Sequence, residues 1–469
     1  MCISNSTCPK KQKRRLNPSR RRADMTAAKT QQTGNKTAGT DGNSRISGYD
    51  GNYYASTLTE DRTWPALDRA LEAEVCIVGG GLAGMNTLLG LRERGVDAVL
   101  LESSRIGWGA SGRNAGFVAK GYAAGEGSLL GKYGKDKAKR LVTLTKNARG
   151  LIRERIAKYD IDCGPVVDGV LTVAWHDHPG QVVDAIRSAN ENFDLGFEFR
   201  SREEVREMCR TSRYHDGIFS PHDFQLNPLK LLRGLAAAAD KLGGRIYEQS
   251  AVTSVTKDGA AWLVKTAAGS VRAKHVVLST SVYGEQVDKR LQFAAIPVQT
   301  YIMVTEPISE DAYAASLNTK HAIYDSRFCS DYYRRLPEGR LLWGGRVGLF
   351  AHPDNIAEAM TGDMLKVYPQ LKGLVKPAFA WSGLLSYAAH KMPMIGMLEE
   401  GLWYNTGYGG HGLCPTTAGG EIMAAAIAAG DEGYHAFDDF RLSFTGGKAG
   451  RYGAQMVYLW WKLRDHLNI

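Results

Sequence analysis

Three glycine-rich stretches carry most of the chemistry legible in this 469-residue chain. The first, Gly79-Gly80-Gly81-Leu82-Ala83-Gly84, reads G-x-G-x-x-G. In that spacing Gly79 makes a tight turn, Gly81 lets backbone approach a pyrophosphate, and Gly84 lets a helix pack on a strand. The anion would sit over the helix N-terminus, where free N–H groups and the macrodipole favour negative charge. Glu102 stands 18 residues beyond Gly84, at the end of the next apolar run, and is placed to accept hydrogen bonds from a ribose. The second stretch, Gly107-Trp108-Gly109-Ala110-Ser111-Gly112-Arg113-Asn114, is rich in small residues and carries one cation. Directly after the ribose acid, it suits contact with a flat or charged ligand. The third, Gly407-Tyr408-Gly409-Gly410-His411-Gly412, leads through Leu413 and Cys414 into Pro415 and an alanine-rich run. With Pro415 at a first helical position, this turn aims a second helix N-terminus at something anionic.

Other residues could line a pocket. Tyr332, Tyr333, Arg334, Trp381 and His411 are the candidates, and Arg334 has the fork geometry to pair bidentately with a carboxylate or phosphonate. His176 and His178 flank an aspartate but run into Pro179-Gly180, so they read as a solvated turn, and no metal site is expected. Seven cysteines, an odd number, lie scattered with no C-x-x-C pair. That argues against zinc or a disulfide framework and for a reducing cytoplasm.

The elements that must position these residues follow from periodicity. Val75-Cys76-Ile77-Val78 reads as a buried strand, Leu82, Met85, Leu88, Leu89 and Leu91 recur at helical spacing, and Ala98-Val99-Leu100-Leu101 is a second short strand. The order is strand, glycine turn, helix, strand: a βαβ unit. Residues 127–215 read largely as helices, strongest over 138–159, with a strand at 169–174. A helix over 227–242 precedes short strands at 245–248, 251–256 and 262–264. The run at 275–280 belongs beside the first nucleotide strand. Alternation from 296 to 350 predicts an antiparallel sheet, and a strand at 403–406 leads to the helix ending at Ala429.

The net charge of +10 is concentrated at one end. Residues 1–50 hold eleven Lys and Arg against three Asp, 11 − 3 = +8, which leaves +2 for the rest. The tail has few large apolar residues and is expected to be disordered; its arginines precede no hydrophobic segment, so it is not a secretory signal. No nucleic-acid partner is expected from a body so near neutral. No apolar run approaches the ~18 residues of a membrane span.

With these pieces placed, the chain resembles the FAD-dependent amine and amino-acid oxidases of the D-amino-acid oxidase superfamily, most of all the γ-glutamylputrescine oxidase branch. The matching stretches are VGGGLAG, LLES, GWGASGRN, VVLST, YIMVTEP, YYRRLPEGRLLWGG, WSG…MPMIG, GYGGHG and the terminal YLWWKLRD. The sequence departs from the branch at Ala389-His390-Lys391-Met392 and at Leu413-Cys414-Pro415. The resemblance implies an α/β fold in which a Rossmann-like FAD-binding domain is interleaved with an α+β antiparallel-sheet substrate domain. The expected partition is a basic tail at 1–48, FAD-binding segments at 49–125, 220–290 and 380–469, a helical substrate-domain segment at 126–219, and the substrate-binding sheet at 291–379. It implies FAD held non-covalently, with contacts from Gly79, Gly81, Leu82, Ala83, Gly84, Glu102, Ser103, Gly109, Ala110, Ser111, Arg113, Asn114, Val252, Gly410, Gly412 and Leu413. The implied reaction oxidises the C–N bond of a small amine or amino acid by hydride transfer to flavin N5, with O2 or another acceptor taking the electrons. The imine then hydrolyses to an aldehyde or keto acid. Two alternatives are a flavin dehydrogenase feeding a quinone or protein, and a non-catalytic FAD-binding subunit of a larger oxidase.

Overall fold

The computed structural model describes residues 49, 51–284, 286–350 and 352–467; the basic tail at 1–48 lies outside them. Two sheets organise the described chain. In the first, the main strand order is Met394–Glu399, Leu402–Thr406, Ser270–Leu278, Ala70–Val78, Ala98–Leu101 and Arg245–Tyr247. All neighbours in that row are parallel except Met394–Glu399, which pairs antiparallel with Leu402–Thr406. Strands covered on both faces read as continuous apolar runs, and Val75 to Val78 and Ala98 to Leu101 are all buried. Their side chains alternate between two cores. Val75, Ile77, Ala98 and Leu100 face a helical layer, while Cys76, Val78, Val99 and Leu101 pack with Trp262 and Val264 of an antiparallel hairpin. That hairpin begins at Ser254, not at residue 251 as the sequence suggested.

The helical layer contains the helices Leu82–Glu93 and Leu413–Ala429, which touch through glycines. A Cβ on Gly420 would lie 2.5 Å from Asn86 Cβ, and one on Gly90 would lie 2.8 Å from Ala424 Cβ. The contacts advance together along both helices, so the helices run parallel and their N-termini lie at one end. The second helix starts at Leu413, two residues earlier than Pro415. A proline in the first turn costs no hydrogen bond, because those N–H groups have no intrahelical acceptor.

The second sheet runs Pro377–Tyr387, Ile296–Thr305, Arg340–Gly348, Tyr332–Leu336, Ala322–Asp325, Val167–Val173, Gly217–Gln225 and Phe117–Val118, with Glu198–Arg200 added at the side. It is not wholly antiparallel: Ala322–Asp325 pairs parallel with Val167–Val173. Its strands also cross the expected segment boundaries. Phe117–Val118 falls within 49–125, Gly217–Gln225 runs past 219, and Pro377–Tyr387 continues beyond 379. The two sheets therefore interleave more finely along the chain than the sequence suggested.

Candidate active site

The G-x-G-x-x-G turn leaves the end of Ala70–Val78 and enters the first helix. Gly79 has φ +111°, and a Cβ there would meet the Ser279 carbonyl oxygen at 2.5 Å; one on Gly84 would meet the Gly79 carbonyl oxygen at 2.0 Å. Both positions therefore require glycine. The helix has no side chain on its N-cap residue, Gly81, although the Leu82 N–H donates to Ser111 Oγ at 2.9 Å. Leu82 and Ala83 bury their side chains in the core and offer only backbone to the turn.

Glu102 Oε2 accepts from the Gly80 N–H at 2.7 Å, and Oε1 accepts from the Ser104 N–H at 2.8 Å and the Ser103 hydroxyl at 3.2 Å. Burial outweighs these donors and holds its pKa above the ordinary value. A carboxylate has about four acceptor sites, so capacity remains for ribose hydroxyls. Val252 packs with Val78 and Leu101 in the core below these strand ends. Ser279 Oγ and Thr280 Oγ1 have no hydrogen-bond partner. Orphaned hydroxyls beside a glycine turn and an open helix end fit a bound dinucleotide.

The Gly107–Asn114 loop is tied down mostly by its own backbone. Arg113 Nε donates to the Trp108 carbonyl at 2.7 Å, and its guanidinium lies 5.7 Å from the Trp108 ring centroid. Asn114 Nδ2 donates to Ser111 O at 2.8 Å, while its Oδ1 accepts from the Gly116 N–H at 2.9 Å. At Gly109 a Cβ would meet only Tyr283, at 3.7 Å. The second sheet holds this loop in place. Trp381 Nε1 donates to Arg113 O at 2.9 Å, and Gly383 would carry a Cβ 3.8 Å from Ala110 Cα.

The Gly407–Gly412 loop is fixed from the same strand. Gly409 N–H donates to Ser386 O at 2.8 Å, Tyr387 and Tyr408 form a bridge, and the Gly410 N–H donates to the Tyr387 hydroxyl. The Tyr408 hydroxyl donates to the buried Asn405 side chain, which reaches Thr87 of the first helix. At Gly412 a Cβ would meet nothing within 4 Å, and no side chain caps the helix that begins with Leu413. His411 is exposed, yet the surrounding protein desolvates it and holds its imidazole below the ordinary pKa, against the pull of Glu126 and Asp223.

Of the five proposed pocket residues, Tyr332 and His411 keep accessible surface. The Tyr332 hydroxyl lies 3.2 Å from Thr300 Oγ1, and burial raises its pKa. The other three need correction. Tyr333 is fully buried, stacked on Trp343 at 4.3 Å, with its hydroxyl bonded to Tyr214 and Tyr368. Arg334 is 2% exposed and donates to Leu226 O at 2.8 Å, Gln225 Oε1 at 3.3 Å and the Tyr54 hydroxyl at 3.4 Å. Its two terminal nitrogens are held by these neutral groups of the scaffold, while its buried Nε has no hydrogen-bond partner. Trp381 is buried and positions the Arg113 backbone.

Two side chains near His411 escaped the sequence reading. Tyr387 ends a strand of ordinary composition, and Glu126 opens a short helix after Gly125. The Glu126 carboxylate lies so close to Gly121 that a Cβ there would meet Oε1 at 2.5 Å. Behind it, Lys120 Nζ bonds Asp223 Oδ2 at 2.9 Å and Arg149 bonds Asp223 Oδ1 at 2.7 Å. Among the described residues no group of His, Cys, Asp and Glu is arranged to hold a metal ion.

Comparison with known proteins agrees with this geometry. Residues 74–426 match the family of FAD dependent oxidoreductases. The chain is 33% identical over 422 residues to the gamma-glutamylputrescine oxidoreductase of Escherichia coli, covering 89% of this chain and 98% of that one. Its fold matches a glycine oxidase from Bacillus cereus with a TM-score of 0.66 at 20% identity, covering 79% of this chain and 98% of that one. L-proline dehydrogenase from P. horikoshii matches equally, with a TM-score of 0.66 at 18% identity and coverage of 80% and 100%. The chain belongs to the FAD-dependent oxidoreductase family. The expectation of an FAD enzyme acting on C–N bonds of amines or amino acids stands.

Proposed function

We propose that the chain oxidises a linear amine that enters the recess between the Gly407–Gly412 loop and the face carrying Tyr332 and Tyr387. The observation that carries this reading is the pair of parallel helices with both N-termini at one end. One would receive the pyrophosphate on backbone around Gly81, and the other would present the free N–H groups of Leu413 and Cys414 to the far end of the same ligand. FAD supplies the hydride acceptor. The protein's part is to orient the amine, exclude water and take up a proton. His411, neutral because it is desolvated, is suited to accept that proton from an entering ammonium, and Glu126 to attract the cation. The Tyr387 phenol, pushed up to about 12 by burial, stays protonated as a hydrogen-bond donor.

An amine is favoured over an α-amino acid because the terminal nitrogens of the buried Arg334, which would form the bidentate pair with a carboxylate, are held by Gln225 and Leu226. Similarity along almost the whole gamma-glutamylputrescine oxidoreductase supports the same choice. Non-covalent FAD is supported by Cys414, a fully buried thiol whose pKa burial raises far above neutrality, because the thiolate is the nucleophile. The acceptor is O2 or a second redox partner, and a reducing cytoplasm suits the unpaired cysteines. Anaerobic addition of linear amines and of α-amino acids to the FAD-loaded enzyme tests the reading. Amines should bleach the flavin's visible absorption, and bleaching by amino acids alone would overturn it.

A further inference from the structure

The C-terminal helix Gly447–Leu467 carries an apolar face that nothing in the described chain covers. Met456, Leu459, Trp460, Leu463 and Leu467 are each 46–66% exposed, while Tyr452 one turn earlier stacks on Phe350 at 4.5 Å. At 3.6 residues per turn they fall within one sector of roughly 100°. The opposite side holds the helix to the second sheet's loops: Trp461 stacks on Phe328 at 4.9 Å, and backbone N–H groups of Phe328 and Cys329 donate to the Asp465 carboxylate. The outer stripe is thus held in place by packing on the inner one.

Charge decides what the stripe meets. The helix carries Lys448, Arg451, Lys462 and Arg464 against one acid, Asp465, giving 4 − 1 = +3. That acid points inward. Helical geometry sets Lys448 and Lys462 on one flank of the stripe and Arg464 on the other. A second copy of the helix would set these cations against their like. An anionic bilayer satisfies both parts: Trp and Leu enter the headgroup boundary while flanking cations meet lipid phosphates. We propose that this helix lies in the plane of an anionic lipid surface and docks the enzyme there. Among the described residues no helix is long and apolar enough to cross a membrane, so docking would be peripheral.

Full-length, FAD-loaded enzyme should co-sediment with vesicles of phosphatidylcholine and phosphatidylglycerol, and much less with phosphatidylcholine alone or at high salt. The double variant Trp460→Glu, Leu463→Glu changes only exposed side chains and should keep its flavin, turnover and melting temperature. Its partitioning into the anionic vesicles should fall about tenfold or more, from the lost apolar burial. Equal partitioning of variant and wild type would overturn the proposal, assigning any binding to the basic tail. No binding to anionic vesicles would also overturn it. So would a wild-type dimer that the variant splits, which would give the face to a second copy.

Discussion

Replacing Gly412 by valine separates scaffold from function at the second helix terminus. Its backbone lies at φ −105° and ψ −56°, which valine accepts. A new Cβ would meet nothing within 4 Å. The protein itself should therefore lose less than about 1 kcal/mol, the cost of a poor N-cap residue. Any larger effect must come from what occupies the space in front of the helix. The N–H groups of Leu413 and Cys414 point there without a capping side chain, and Pro415 has none to offer. Such a terminus favours adjacent negative charge by roughly 0.3–1 kcal/mol when exposed and up to ~2 kcal/mol when partly buried. With ~1.4 kcal/mol per tenfold, Gly412→Val should slow flavin reduction by roughly two- to thirtyfold. With ~30 mV per 1.4 kcal/mol for two electrons, the flavin potential should fall by up to roughly 40 mV. Stopped-flow reduction by amine and a dye-equilibrated titration give the two numbers. A variant that holds FAD, is reduced at the wild-type rate and keeps its potential would show the loop to be scaffold only.

Three further outcomes follow from the geometry. Glu102→Ala should weaken FAD binding about tenfold to a hundredfold, the worth of a charged hydrogen bond, as measured by flavin retained on dialysis; full retention would remove Glu102 from the site. Asp223→Ala leaves the buried Lys120 ammonium and the Arg149 guanidinium facing each other without their shared anion. Breaking a buried pair in this way costs about 3–5 kcal/mol, so denaturant unfolding should show a clear loss, and a loss below 1 kcal/mol would refute the account. For His411 the sign is fixed by desolvation: its pKa lies below the ordinary ~6.5, so the neutral form persists until the pH falls under that value. Activity that depends on it should drop only on that acid side, and His411→Gln should abolish the drop; an unchanged pH profile in the variant would exclude imidazole as proton acceptor.

The nucleotide half of the fold was legible because its signals are local. An apolar run, a glycine turn and a helical repeat lie within 30 residues, and parallel strands buried on both faces need no partner to be recognised. The second sheet was legible only in part. Its parallel pairing of Ala322–Asp325 with Val167–Val173 joins segments some 150 residues apart, and nothing in either segment specifies the other. Glu126 and Tyr387 were missed for the same reason: each is an ordinary residue at the end of an element, given a role by what the chain folds against it.

The misreading of Tyr333 and Arg334 shows where sequence runs out. Strand alternation states that Tyr332 and Tyr333 face opposite ways, but not which way is inward. The cross-strand partner decides. Tyr332 lies opposite Gly344 and Tyr333 opposite Trp343. A Cβ on Gly344 would lie 1.9 Å from the Tyr332 ring, so the missing side chain is the space into which that ring lies, with its hydroxyl near Thr300. On the other face the indole of Trp343 stacks on Tyr333 and completes a core. Arg334 follows Tyr332's side of the strand, but it is long enough to reach Leu226, Gln225 and Tyr54, and these neutral acceptors hold its two terminal nitrogens. The glycine in Leu342-Trp343-Gly344-Gly345 thus sets which tyrosine keeps accessible surface, through a register that no single strand contains.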